Sequence, residues 1–261
     1  MKRSISGILL IFLYILFASS VWARGPSRLN QILANGVLRV GTTGDWNPMT
    51  VRDPATNTYK GFDIEMVTAL AAYLGVRLQF VPTDWKTLVN GIVADKYDVS
   101  TSASITPARI RTVGFTKTYY QVGSVPMTLK SNAGRFKNWE DIDRKDVTVA
   151  VTLGTSFEQQ VKAFFPNARI RSVEAPARDF QEVLSRRADV SITSNLEAAT
   201  LIRTHPQLVV VPVEHPRKPA DLALIVAQDD QVWLNYLNHW ITIKANRGFF
   251  DRLQKKWMPT D

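Results

Sequence analysis

Apolar residues fall in two rhythms along this chain. Short continuous runs rich in Val, Leu and Ile, at 37–42, 77–81, 147–151 and 221–226, are bounded by turn-forming residues and are too short for helices, so they are expected to be buried strands. Between them apolar positions recur every three or four residues. Ile64, Val67, Leu70 and Leu74 share one helix face that stops at Gly75, and Val232, Leu234, Leu237, Trp240 and Ile241 recur in the same way across 230–246. The same spacing places helices at 86–94, 179–186 and 195–204, one running through 165, and a short amphipathic turn at 27–33 closed by Asn35-Gly36. Further strands are expected at 97–100, 168–173, 189–192 and 208–213. This alternation of strand and helix is that of βαβ units, and it predicts an α/β chain of mainly parallel sheets flanked by helices.

The alternation breaks once. Around Thr118-Tyr119-Tyr120 it gives way to an extended segment, 125–130, beyond which a second α/β unit begins, and 214–220 leads back to a last strand and helix. The expected organisation is an interrupted first unit, 24–122 with 216–261, and a second unit inserted at 123–215.

The first residues follow neither rhythm. Lys2 and Arg3 precede an apolar run at 5–17 that is short for a membrane span, and Val21 and Ala23 stand at the −3 and −1 positions of a cleavage site, so 1–23 is read as a cleaved secretory signal peptide. The remaining chain has ample apolar content for a core, with 45% hydrophobic and 21% charged residues overall. There is no cysteine, which excludes disulfides, thiolate catalysis, cysteine-ligated metal and a lipid anchor on an N-terminal cysteine. The formal charge of +9 becomes +7 without the leader, 30 basic residues against 23 acidic, and the basic residues are scattered; small anions are favoured over nucleic acid.

Candidate chemistry gathers at strand ends. Thr101-Ser102-Ala103-Ser104-Ile105-Thr106-Pro107-Ala108-Arg109 sets four hydroxyls ahead of an arginine, whose planar fork can grip both oxygens of a carboxylate. Thr106 and Pro107 suit a helix cap and first turn, so this stretch is expected to run from strand through loop to helix N-terminus. Asp45 and Trp46 follow the strand at 37–42, and Asp84 and Trp85 follow that at 77–81, where α/β sheets collect ligands. Gly154-Thr155-Ser156 forms a second anion cradle at a strand-to-helix turn. His205, His215 and His239 have no partnered serine, and no metal spacing or phosphate loop is present, so no cofactor and no metal are expected.

The run Ser104-Ile105-Thr106-Pro107-Ala108-Arg109 resembles the S-I-T-x-x-R signature of periplasmic solute-binding proteins that serve polar amino-acid ABC transporters (family 3), and the likeness extends in order from Ser27 to near Trp257. The resemblance implies a two-lobed periplasmic-binding-protein fold joined by two crossovers, a monomer in the periplasm, and a permease partner in the inner membrane. It also implies that Arg109 holds a ligand carboxylate on which Gly154-Thr155-Ser156 closes. Amino-acid binders of the family carry an aspartate at the position of Ser194, which pairs with the ligand ammonium. The serine here points to a small carboxylate without an α-amine, or to an amine met by Asp45 or Glu158. Expected ligand contacts are Asp45, Trp46, Trp85, Ser102, Ser104, Arg109, Thr155, Ser156 and Ser194.

A second resemblance is to the cyclohexadienyl dehydratases, enzymes of the same fold. It rests on Ser27-Arg28-Leu29, Gly36-Val37-Leu38-Arg39-Val40, Thr42-Thr43-Gly44-Asp45, Val81-Pro82-Thr83 with Trp85, the pair Arg109 and Arg111, and Glu158, while Ser124, Phe157 and Ser194 depart from that pattern. It would make the protein a prephenate or arogenate dehydratase, with Glu158 as general acid. The reading preferred from sequence is the binding protein.

Overall fold

The computed structural model describes residues 26–258, so the leader expected at 1–23 lies outside the described residues. The chain enters through α1 (Arg28–Asn35), which is capped by the Ser27 hydroxyl and closed by Gly36 in the left-handed region at φ 64°. β1 (Val37–Thr42), α2 (Phe62–Leu74), β5 (Arg77–Pro82), α3 (Leu88–Val93) and β6 (Val99–Ser104) then build the first βαβ layer, with β1 parallel to both β5 and β6. Between β1 and α2 lies a small antiparallel sheet that the apolar pattern does not signal, β2 (Asp45–Trp46), β3 (Thr50–Arg52) and β4 (Tyr59–Lys60). Its strands have two or three residues each, too few to display any alternation.

After β7 (Val113–Phe115) comes β8 (Tyr120–Leu129), which leads into the second unit. That unit contains β9 (Thr148–Thr152), α4 (Ser156–Phe164), β10 (Arg169–Val173), α5 (Asp179–Leu184), β11 (Val190–Ser194), α6 (Asn195–Thr204) and β12 (Leu208–Val210). β9 is parallel to β10 and β11, whereas β8 is antiparallel to β11. β13 (Arg217–Ala227) carries the chain back, followed by α7 (Gln231–Asn246) and α8 (Phe249–Trp257). The last helix, set off from α7 only by the left-handed Gly248, was not anticipated.

The segments expected as extended crossovers are two long strands paired with each other, Ala220 opposite Val122 and Leu222 opposite Tyr120, with an irregularity between Arg217 and Ala220. One ladder therefore runs β10-β9-β11-β8-β13-β6-β1-β5 through both units. The cores remain separate. One is built on Leu38, Val40, Phe62, Leu70, Trp233 and Trp240 from the two ends of the chain, and the others are built on Val149, Val151, Phe165 and Ile192, and on Met127, Val183 and Leu208, from its middle. The architecture is α/β and two-lobed. Among the described residues no helix is long and apolar enough to cross a membrane.

Two local expectations need correction. The hydroxyl run 101–104, expected as a loop, is the end of strand β6, because β13 arrives from far along the sequence and pairs Leu222 with Ser104 and Ala223 with Ala103. Beyond it no α-helix forms. Arg109–Arg111 make a single 3-10 turn, and the Thr106 hydroxyl accepts from Arg109 N at 3.3 Å.

Candidate functional site

The carboxyl ends of the first unit's strands face the helix starts of the second across a closed cleft whose free volume is about 20 Å³. Trp46, Trp85, Ser102, Ser104 and Arg109 form one wall; Thr152, Thr155, Ser156, Phe157, Ile192, Arg178 and Glu197 form the other. Seven of the nine expected contacts thus line one space. Asp45 lies behind the wall and Ser194 is turned away from it.

Arg109 dominates the first wall. It is 8% exposed, its Nη1 donates to Ser104 O at 3.1 Å and its Nη2 donates across the cleft to Gly154 O at 3.0 Å, and among the described residues no carboxylate pairs with it. Burial without a counter-ion pulls its pKa down to about 10, which leaves it charged at neutral pH and in want of an anion. Around it, the Ser156 hydroxyl meets that of Ser104 at 3.0 Å, and Thr155 caps α4 by accepting from Glu158 N. A helix start and two hydroxyls therefore meet the guanidinium where an anion can bind.

Ser102 lines the cleft, yet its hydroxyl is used elsewhere. Its Oγ donates to Asp63, its N–H donates to Tyr119 Oη at 2.8 Å, and Tyr119 Oη donates to Asp63 Oδ1 at 3.0 Å. This fully buried triangle holds Ser102 at φ 55° and ties β6 to α2. Asp63 is the acceptor that shapes this part of the wall; burial pushes its pKa up to about 6.

Trp46 and Trp85 meet edge to face, with centroids 5.8 Å apart. Trp85 Nε1 donates to Asp45 Oδ1 at 3.1 Å, and Asp45 Oδ2 stands 3.2 Å from Arg178 Nη1, so Asp45 is already occupied by protein groups. Ser194 is fully buried, and its Oγ accepts from Glu197 N at 3.0 Å, because β11 passes directly into α6 and the first helical turn needs that acceptor. Glu158 is not part of the cleft wall: its Oε2 accepts from Gly154 N and its Oε1 from Ser172 Oγ, both at 3.0 Å. His215 and His239 are exposed, and His205 packs 5.3 Å from the Phe180 ring.

Sequence reasoning missed Arg178 and Glu197. Arg178 Nη2 donates to both oxygens of Glu197, at 2.8 and 3.0 Å, and Asp179 Oδ1 lies 3.8 Å from Arg178 Nε. The spacing Ser194-x-x-Glu197 is a legible capping pattern, but the Glu197 side chain turns to Arg178 and to the Thr193 hydroxyl. Nothing in the sequence marks Arg178, which follows Ala175-Pro176-Ala177 as one more polar connector residue. Burial pushes Glu197 up to about 7, with Arg178 pulling it back, and burial likewise raises Asp179. For Arg178 burial opposes the charge, but Glu197, Asp45 and Asp179 outweigh it and raise its pKa.

These shifts give a pH expectation. Asp63 and Glu197 hold protons in the folded state that the unfolded chain, with values near 3.8 and 4.5, has already released. Stability should therefore fall as pH rises through this window and flatten above about 7. Glu182, held at about 2 chiefly by Arg187, acts only at lower pH. Thermal unfolding should give a higher midpoint at pH 5 than at pH 8, and Glu197→Gln should flatten the upper part of that slope; a rising profile between these pH values would contradict the burial of both acids.

The close approach of the two lobes depends on Gly154. It sits at φ 81°, and a Cβ there would lie 2.4 Å from Lys86 N on the opposite lobe, while Lys86 Nζ and Glu174 Oε1 bridge the rim at 2.9 Å. Gly154→Ala should leave the cores intact but prop the cleft open. Small-angle scattering should then show a larger radius than the unmodified protein, and equal radii would show that closure tolerates the methyl.

Comparisons with known proteins agree with this geometry. Residues 38–260 match Bacterial extracellular solute-binding proteins, family 3. The chain is 35% identical over 246 residues to a cyclohexadienyl dehydratase of Pseudomonas aeruginosa, covering 93% of this chain and 90% of that one. It is 26% identical over 235 residues to the L-cystine-binding protein TcyJ of Escherichia coli, covering 89% and 86%. Among solved structures, the ancestral amino acid-binding protein AncCDT-1, a precursor of cyclohexadienyl dehydratase, superposes with a TM-score of 0.83 at 37% identity, covering 90% of this chain and all of the other. A binding component of an ABC transporter from Wolinella succinogenes, complexed with lysine, gives 0.80 at 28% identity, covering 86% and 97%.

Proposed function

We propose that this chain, which belongs to the bacterial extracellular solute-binding proteins of family 3, is a periplasmic receptor that closes on a small carboxylate and presents it to an ABC permease in the inner membrane. The observation that carries the reading is Arg109, a buried guanidinium with no carboxylate partner among the described residues, set beside the hydroxyls of Ser104 and Ser156. A bound carboxylate supplies the missing charge and the second lobe covers it. In this reading 1–23 is removed on export, the lobes are 24–122 with 216–261 and 123–215, and rotation occurs about β8 and β13. Thr155 and Ser156 reach the ligand from the helix start, and Trp46 and Trp85 pack its body. Relatives named as amino-acid-binding proteins support a receptor.

A dehydratase reading is favoured by the 35% identity to cyclohexadienyl dehydratase and by Glu158. Against it, Glu158 is engaged by Gly154 and Ser172 outside the cleft wall, whereas a general acid must reach the departing hydroxyl. Purified protein incubated with prephenate and arogenate should form neither phenylpyruvate nor phenylalanine, and titration with its carboxylate ligand should give saturable heat and compaction in solution scattering. Turnover abolished by Glu158→Gln would replace the receptor reading with the enzyme.

A further inference from the structure

Arg178 takes up the carboxylates that would otherwise meet a ligand cation. A guanidinium has five N–H donors. Here Nε donates to Thr152 Oγ1 at 3.2 Å, Nη1 serves Asp45 O and Asp45 Oδ2, and Nη2 serves the two oxygens of Glu197. The side chain is 7% exposed, so it has neither a spare donor for a ligand anion nor the freedom of a surface arginine.

The charge on the cleft wall follows from this. Of the acidic residues around Arg178, only Glu197 lines the space, and its Oε2 accepts from both Arg178 and Thr193; Asp45 and Asp179 lie behind. On the wall Arg178 and Glu197 are taken up by each other, with Asp45 and Asp179 behind them, so among the described residues Arg109 is the charged group of the wall that has no carboxylate of its own. A monoanion meets the charge of Arg109, whereas a zwitterion also brings an ammonium, and the carboxylate oxygens of Glu197 and Asp45 are already engaged by Arg178, Thr193 and Trp85. Trp46, Trp85, Phe157 and Ile192 give the wall an apolar and aromatic part beside its five hydroxyl residues.

We infer that the cleft selects monocarboxylates with an apolar or aromatic body and no ammonium group, Arg109 holding the carboxylate while the Arg178–Glu197 pair fills the position of an ammonium and its counter-ion. This rests on the receptor reading above and narrows its ligand class. It also replaces the sequence-based argument about Ser194. An amine is disfavoured because the carboxylates at the site already hold an internal cation, and not because a carboxylate is missing.

The test uses compounds that differ only in the amine. Calorimetric titration of the unmodified protein with 3-phenylpropionate against L-phenylalanine, and 4-methylpentanoate against L-leucine, within a panel of all twenty amino acids and their deaminated counterparts, should favour the amine-free member of a pair by at least about tenfold. Arg178→Ala, which frees Glu197 and Asp45, should shift that preference toward the amine; if the variant does not fold, the pairs on the unmodified protein decide alone. An amino acid that binds as tightly as its deaminated counterpart, with binding lost in Arg109→Ala, would overturn this inference and leave the receptor reading standing. Failure of every carboxylate in the panel to bind would overturn both.

Discussion

Replacing Arg109 by alanine should abolish ligand capture and leave the unliganded fold as stable as before, or more so. A carboxylate gripped by a buried guanidinium gains from charge, from paired hydrogen bonds and from the absence of competing water, and losing such a contact costs about 2–5 kcal/mol, on the order of thirtyfold to several thousandfold in affinity. The expected gain in stability comes from the other side of the balance. Arg109 is nearly as buried as a core residue, yet its hydrogen bonds run only to the carbonyls of Ser104 and Gly154, neither of which offsets its charge. An uncompensated buried charge is a cost that function maintains. Calorimetry should therefore show binding lost, and thermal unfolding without ligand should show a midpoint unchanged or raised. A large fall in that midpoint would make Arg109 a structural residue and move the site elsewhere.

Replacing Arg178 should have the opposite signature. Its removal leaves Glu197, Asp45 and Asp179 close together, two of them almost fully buried, and breaking a buried ion network by deleting one partner costs about 3–5 kcal/mol. The penalty should depend on pH. The abandoned carboxylates can take up protons, and Glu197 already does so at about 7 in the intact cluster, so the destabilisation of Arg178→Ala should be smaller at pH 5 than at pH 8. Denaturant unfolding of both proteins at the two pH values checks this, and a penalty independent of pH would mean that lost packing, not stranded charge, is what the variant measures. Arg178→Lys should recover part of the loss by restoring the charge without the five-donor fork.

The chain's own pattern of apolar residues determined the α/β class, the boundaries of β1 and α6 and the two-unit organisation, because each of these follows from local periodicity and turn chemistry. It also determined much of the cleft: Trp46, Trp85, Ser104, Arg109, Thr155 and Ser156 sit at strand ends or helix starts, where an α/β sheet brings side chains to one edge whatever the rest of the chain does. What depends on pairing between distant segments was decided only by the tertiary structure. The hydroxyl run became strand because β13, more than a hundred residues further on, pairs with it, and the Ser102 hydroxyl and N–H were engaged by Asp63 and Tyr119. Ser194 went to a helix cap, a local duty, while Arg178, at the N-cap of α5, met Glu197 of α6 within the second lobe and Asp45 across the closed cleft. A charge state is a property of surroundings, so no single residue in the sequence could reveal that Arg109 has no carboxylate partner among the described residues while Arg178 is held by Glu197, Asp45 and Asp179; that difference arises only when distant segments fold against each other.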